Sequence, residues 1–276
     1  MKRAGFTLVE LLVAVVVAGI LTTALARMLV NDSRFVARQE ATLSARRTAR
    51  TALNWLAVEL RMVGDSGLRA AAADSITLRI PYAFGMACDR VGSEHIVSLA
   101  PSDSLAYATA APEGLAWQRS SGEWVFVSSS GVLPSTDSTT CVADSIRTVP
   151  GGRLVGVSGL PASPPLRPVS GSISYLYQTV TYRFAASVDL PGRIALWRRV
   201  GAGAAEELAV PFDAGSGFGF LTGVSTTALN TPPADLSTVR GLEFRLIGAS
   251  ETTPRGASGP STFPLVAQIQ FMNRGN

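Results

Sequence analysis

The chain has 276 residues, 47% of them apolar and only 16% charged, with a formal net charge of +4. That length supports one sizeable core or two small ones. Lys2 and Arg3 supply two of the charges; the remaining +2 (22 minus 20), with no aromatic-interleaved basic patch, excludes a nucleic-acid footprint.

The chain opens Lys2-Arg3-Ala4-Gly5 and then runs 21 residues, from Phe6 to Ala26, with Glu10 as the one charge. As a helix at ~1.5 Å per residue this run reaches ~31 Å, about the hydrocarbon thickness of a bilayer. The two cations before it place that end in the cytoplasm and the bulk of the chain on the other side. A carboxylate inside such a span costs roughly 2.5–3.5 kcal/mol on insertion scales and marks a functional residue by default. It needs a cationic partner, and the run from Phe6 to Ala26 contains none.

Gly5-Phe6-Thr7-Leu8-Val9-Glu10-Leu11-Leu12-Val13 resembles the prepilin signal of type IV pilins and type II secretion pseudopilins. The resemblance implies that a membrane prepilin peptidase cuts between Gly5 and Phe6 and N-methylates Phe6. Glu10 then becomes the fifth residue of the mature chain. Physical chemistry points the same way. Cleavage creates a cationic amine at the head of an apolar helix, and the Glu10 carboxylate can pair with that amine on a neighbouring subunit. Two alternatives stay open. One is an ordinary secretory signal ending at Ala24-Leu25-Ala26, although such h-regions seldom carry a glutamate. The other is a plain signal anchor with Glu10 near the cytoplasmic interface, which leaves Gly5-Phe6 without a role.

The helix is expected to continue past the membrane, because no proline precedes Pro81 and no glycine falls between Gly19 and Gly64. Ala45, Ala49, Ala52, Leu56, Leu60 and Val63 form one amphipathic stripe, with Arg46, Arg47, Arg50 and Arg61 off it. Gly64-Asp65-Ser66-Gly67 is a strong stop. The expected organisation is therefore a leader at 1–5, a transmembrane or filament-core helix at 6–26, an amphipathic continuation at 27–64 and an exported β-rich domain at 65–276.

Beyond Gly67 the pattern is that of strands. Candidates are Ser75 to Ile80, Glu94 to Leu99, Ser104 to Ala108, Leu115 to Arg119, Glu123 to Val127, Ser145 to Val149 and Arg153 to Val157. Ser128 to Thr140 reads as a surface loop, and Gly159 to Pro168, with four prolines, as an extended linker. Further strands are expected over Ile173 to Tyr177, Val180 to Phe184 and Arg193 to Val200. Alternation at Leu242, Phe244, Leu246 and at Leu265, Ala267, Ile269 predicts two more. A spine helix followed by antiparallel strands is an α+β order.

Cys88 and Cys141 both fall on the exported side, where a disulfide is favoured; two unpaired buried thiols are the alternative. Val180-Thr181-Tyr182-Arg183-Phe184 followed by Gly192 to Val200 is similar to a hairpin of PilW-like minor pilins and J-type minor pseudopilins. That resemblance implies a minor subunit, with the peptidase, a major pilin, other minor pilins or pseudopilins and an assembly platform protein as partners.

No catalytic constellation is visible, so no enzyme activity and no cofactor are expected. His95 is the only histidine, and no G-x-S-x-G elbow accompanies it. Gly201-Ala202-Gly203-Ala204-Ala205-Glu206 lacks the last glycine of a dinucleotide fingerprint. Asp213 and Asp235 are too few for a calcium cage, so no metal is assigned. Gly215 to Phe220 is either a mobile aromatic loop that contacts a partner or turn glycines with core phenylalanines.

Overall fold

The computed structural model describes residues 8–64, 66–101, 112–147, 151–161 and 167–271. Within them one long helix, α1 (Leu8–Leu60), precedes an antiparallel sheet of thirteen strands, the expected α+β order. With 53 residues α1 is ~80 Å long. It has two regimes. No residue from Leu8 to Glu40 is buried, so ~50 Å of helix projects from the domain. From Ala41 the stripe Ala41, Ala45, Ala49, Ala52, Leu56 and Leu60 is buried, followed by Val63. The helix ends at Leu60, one turn before Val63, as i→i−3 bonds from Met62 and Val63 tighten the chain. Ser66 then takes a left-handed φ of 62°.

The strands are β1 (Leu68–Ala71), β2 (Ser75–Val91), β3 (Glu94–Leu99), β4 (Gly114–Gln118), β5 (Trp124–Ser128), β6 (Gly131–Pro134), β7 (Arg153–Ser158), β8 (Ile173–Ala186), β9 (Ile194–Val200), β10 (Ala205–Phe212), β11 (Gly217–Thr222), β12 (Val239–Ala249) and β13 (Thr262–Gln270). The main path runs β11-β12-β10-β9-β8-β2-β3-β7-β6, with β13 on β12, β1 on β2 and the β4–β5 hairpin on β8. Helix α1 lies across β10, β12 and β13. The main core forms between them from Leu56, Leu60, Leu78, Val180, Phe218, Phe244 and Leu246. Each such side chain contributes about 1.5–3 kcal/mol on burial. A second core of Leu99, Leu115, Trp117, Val157 and Leu176 sits under the β4–β5 hairpin.

Helix and sheet approach closely at one point. A Cβ built on Gly248 would stand 2.1 Å from the Ala45 carbonyl oxygen and 3.2 Å from the Ala49 Cβ. Glycine on β12 and alanines on α1 are thus two halves of one contact.

The structure corrects several expectations. Ser145 to Val149 is not a strand over its described part: Cys141 lies on a short helix, α2 (Thr139–Ala143), and Ser145 turns the chain with φ 59°. The surface loop expected over Ser128 to Thr140 contains β6, which pairs with β7. Gly215 to Phe220 is no mobile loop, since Phe218 and Phe220 are fully buried in β11. Gly201 to Glu206 is a turn leading into β10, a strand whose polar–apolar alternation is weak. Strand β2 runs well past Ile80 because a register shift between Pro81 and Ala83 absorbs the proline. Ser104 to Ala108 lies outside the described residues.

Candidate functional site

The features that carry function are at the two ends of α1. Gly5 and Phe6 lie outside the described residues. Glu10 stands in the first turn of α1, where unsatisfied backbone N–H groups favour negative charge. Val9, Val13, Ala14, Val17, Ala18 and Leu21 form an apolar surface beside it. The most apolar stretch of the helix has a mean hydropathy of 2.5, and none of it is buried. A continuous apolar face of this size requires lipid or protein around it. Two hydroxyls inside the span are satisfied locally: Thr22 Oγ1 donates to the Ala18 carbonyl at 2.7 Å and Thr23 Oγ1 to that of Gly19 at 2.8 Å.

At the far end α1 is locked to the sheet by a half-buried polar cluster. Arg198 Nη2 on β9 donates to Glu59 Oε1 at 2.8 Å, and its Nε reaches Oε2 at 3.4 Å. The Tyr182 hydroxyl on β8 also donates to Glu59 Oε2. Burial, reinforced by the Glu59 charge, pushes the Tyr182 pKa up, so this phenol stays a neutral donor. Burial pulls the Arg198 pKa down, but Glu59 and Tyr182 together outweigh it and the net shift is upward. Thr48 Oγ1 and Arg46 add a contact each, to the Val210 carbonyl and over the Phe263 ring. These contacts join the end of α1 to the sheet.

The roles of Glu59, Tyr182, Arg198 and Gly248 emerge only from the folded chain. For Glu59 a signal was available: positions 52, 56, 59 and 63 share one helical face, so this carboxylate sits on the apolar stripe.

The other candidates take structural places. Cys88, on β2, and Cys141, on α2, form a disulfide with Cα atoms 5.0 Å apart, buried with Ile96 and Ile146. At a sequence separation of 53, closure stabilises by about 4 kcal/mol in the chain-entropy picture. His95 is buried on β3 opposite Val157, and neither ring nitrogen has a hydrogen-bond partner among the described residues. Asp213 accepts from the Gly215 amide at 3.0 Å, and Asp235 from the Ser237 amide at 2.9 Å; both are turn-capping residues in separate loops. Among the described residues no group of three or more His, Cys, Asp or Glu side chains is placed to hold a metal ion.

A family model described as the prokaryotic N-terminal methylation motif matches residues 1–26. No curated protein and no solved structure matches the chain. The chain thus carries a prepilin-type N-terminus of the kind found on type IV pilins and pseudopilins, continuing into one apolar helix suited to a single-pass membrane anchor. Such an N-terminus implies processing by a prepilin peptidase, and it supports a pilin-like or pseudopilin-like role.

Proposed function

We propose that this protein is a structural minor pilin or pseudopilin subunit, cleaved after Gly5, N-methylated at Phe6 and assembled into or at the tip of a type IV pilus or type II secretion pseudopilus. The observation that carries the reading is the methylation motif running directly into an unburied apolar helix whose other end is fixed to a folded domain. Before assembly the helix anchors the subunit in the inner membrane with the sheet domain on the periplasmic side. In the filament the same apolar surface packs against major pilin and other minor subunits, delivered by an assembly platform protein. The subunit works by assembly and not by catalysis.

Glu10 sets axial register by pairing with the N-terminal amine of a neighbour, so that assembly neutralises two charges costly in an apolar medium. The test is Glu10→Ala in cells that make the filament. The variant is expected to be made, cleaved and membrane-inserted, yet depleted from sheared filaments by about tenfold or more, since a desolvated ion pair is at stake. Wild-type incorporation of that variant would sink the register role.

A further inference from the structure

The outer face of β2, β8 and β9 is turned away from α1. Along β8 the core residues Val180, Tyr182 and Phe184 alternate with Thr181, Arg183 and Ala185, so the second set projects from the opposite face. A groove of about 430 Å³ crosses it, lined in part by Asp74, Ser75, Thr181, Arg183, Trp197 and Arg199.

Its chemistry is specific. Ser75 and Trp197 are cross-strand partners of Arg183, and Arg199 is the partner of Thr181, which places the two arginines diagonally on one face. Diagonal neighbours lie roughly 7–8 Å apart, within reach for long side chains, and like charges so placed repel. Among the described residues one carboxylate stands within ion-pair distance of them: Arg183 Nε is 3.9 Å from Asp74 Oδ2, with both groups more than half exposed. Arg199 has no carboxylate partner among the described residues. Trp197 is half-buried and its indole Nε1 donates to the Ala186 carbonyl at 3.2 Å, which fixes the ring along the groove wall. The Thr181 hydroxyl lies 3.0 Å from that of Thr77 and extends the polar floor.

We propose that this groove binds a carboxylated saccharide, such as a uronic-acid unit of an acidic polysaccharide. Each part has a role. The planar guanidiniums of Arg183 and Arg199 take the sugar carboxylate in paired hydrogen bonds. The indole supplies a flat, rigid apolar surface for the C–H face of the ring. Asp74 accepts from sugar hydroxyls, and Ser75 and Thr181 donate to or accept from them. The volume lies in the range of small-ligand clefts and accommodates one or two sugar units. A nucleic-acid backbone fits less well, because tight phosphate binding draws on roughly 6–10 cationic contacts. The inference does not depend on filament assembly.

The test is titration of the full chain in detergent micelles with oligogalacturonate, followed by calorimetry and by tryptophan fluorescence. Oligogalacturonate is expected to bind and to perturb the Trp197 emission, a change absent from Trp197→Phe, while neutral maltohexaose binds at least about tenfold more weakly. Arg199→Gln, at an exposed position, is expected to weaken oligogalacturonate by about tenfold or more without changing thermal stability. No binding by the unaltered chain, or binding indifferent to Arg199→Gln, overturns the proposal. Equal affinity for an octathymidylate or an oligoglutamate overturns the saccharide assignment.

Discussion

Glu59, on the last turn of α1, receives the Arg198 guanidinium from β9 at 2.8 Å, with both side chains less than a fifth exposed. Helix end and sheet centre therefore meet through a charge pair and not only through apolar contact. Removing Arg198 alone leaves the Glu59 charge in a partly desolvated site, whereas removing both leaves only the neutral Tyr182 hydroxyl without its acceptor. Arg198→Met is expected to cost about 2–3 kcal/mol, and the Glu59→Met, Arg198→Met double variant less than Arg198→Met alone. Denaturant unfolding of the full chain in detergent reads this. A double variant weaker than either single one would show that the cluster is incidental.

Gly248 limits how near α1 can lie to β12. A methyl group there would overlap the Ala45 carbonyl oxygen at 2.1 Å, and helix backbone cannot rotate away as a side chain can. Gly248→Ala is expected to destabilise by about 1–3 kcal/mol through forced separation of helix and sheet. Gly259→Ala, where an added Cβ meets nothing within 4 Å, is the matched control. Equal unfolding midpoints for the two variants would remove the close-approach role.

His95 makes the domain sensitive to acid. Burial holds its pKa below the usual 6.5; the Arg90 and Arg167 charges act in the same direction and Asp89 opposes them. The unfolded chain thus takes up this proton at higher pH than the folded one does. Its contribution is complete above about pH 6.5 and is lost as pH falls below that value toward the depressed folded pKa. The thermal midpoint is expected to drop between pH 7 and pH 5, with a shallower drop in His95→Leu. The same slope in both proteins would assign the acid sensitivity to other groups.

Much of this architecture could be read from residue patterns. The stripe from Ala45 to Val63 is the buried face of α1 because a 3.6-residue period is a property of the helix itself. The alternation at Leu242, Phe244 and Leu246 likewise gave β12 its core face. What escaped was set by partners distant in sequence. Strand β10 carries Glu206-Glu207 at its start and gains its place by pairing with β9. Ser145 to Val149 had strand-like composition, but Cys141, joined to Cys88, sits on α2 immediately before it. The Glu59–Arg198 pair spans 139 positions, a separation that no local period encodes. At the N-terminus the reverse holds: the methylation motif is a short linear pattern, legible in residues 1–26 alone.

The most direct test of the central claim is the mass of the N-terminal peptide of the membrane-bound protein, from cells with and without a prepilin peptidase. The account predicts a chain beginning at Phe6 and carrying one added methyl group when the peptidase is present, and an uncut leader when it is absent. A chain beginning at Arg27, or an intact leader in the presence of the peptidase, would contradict it.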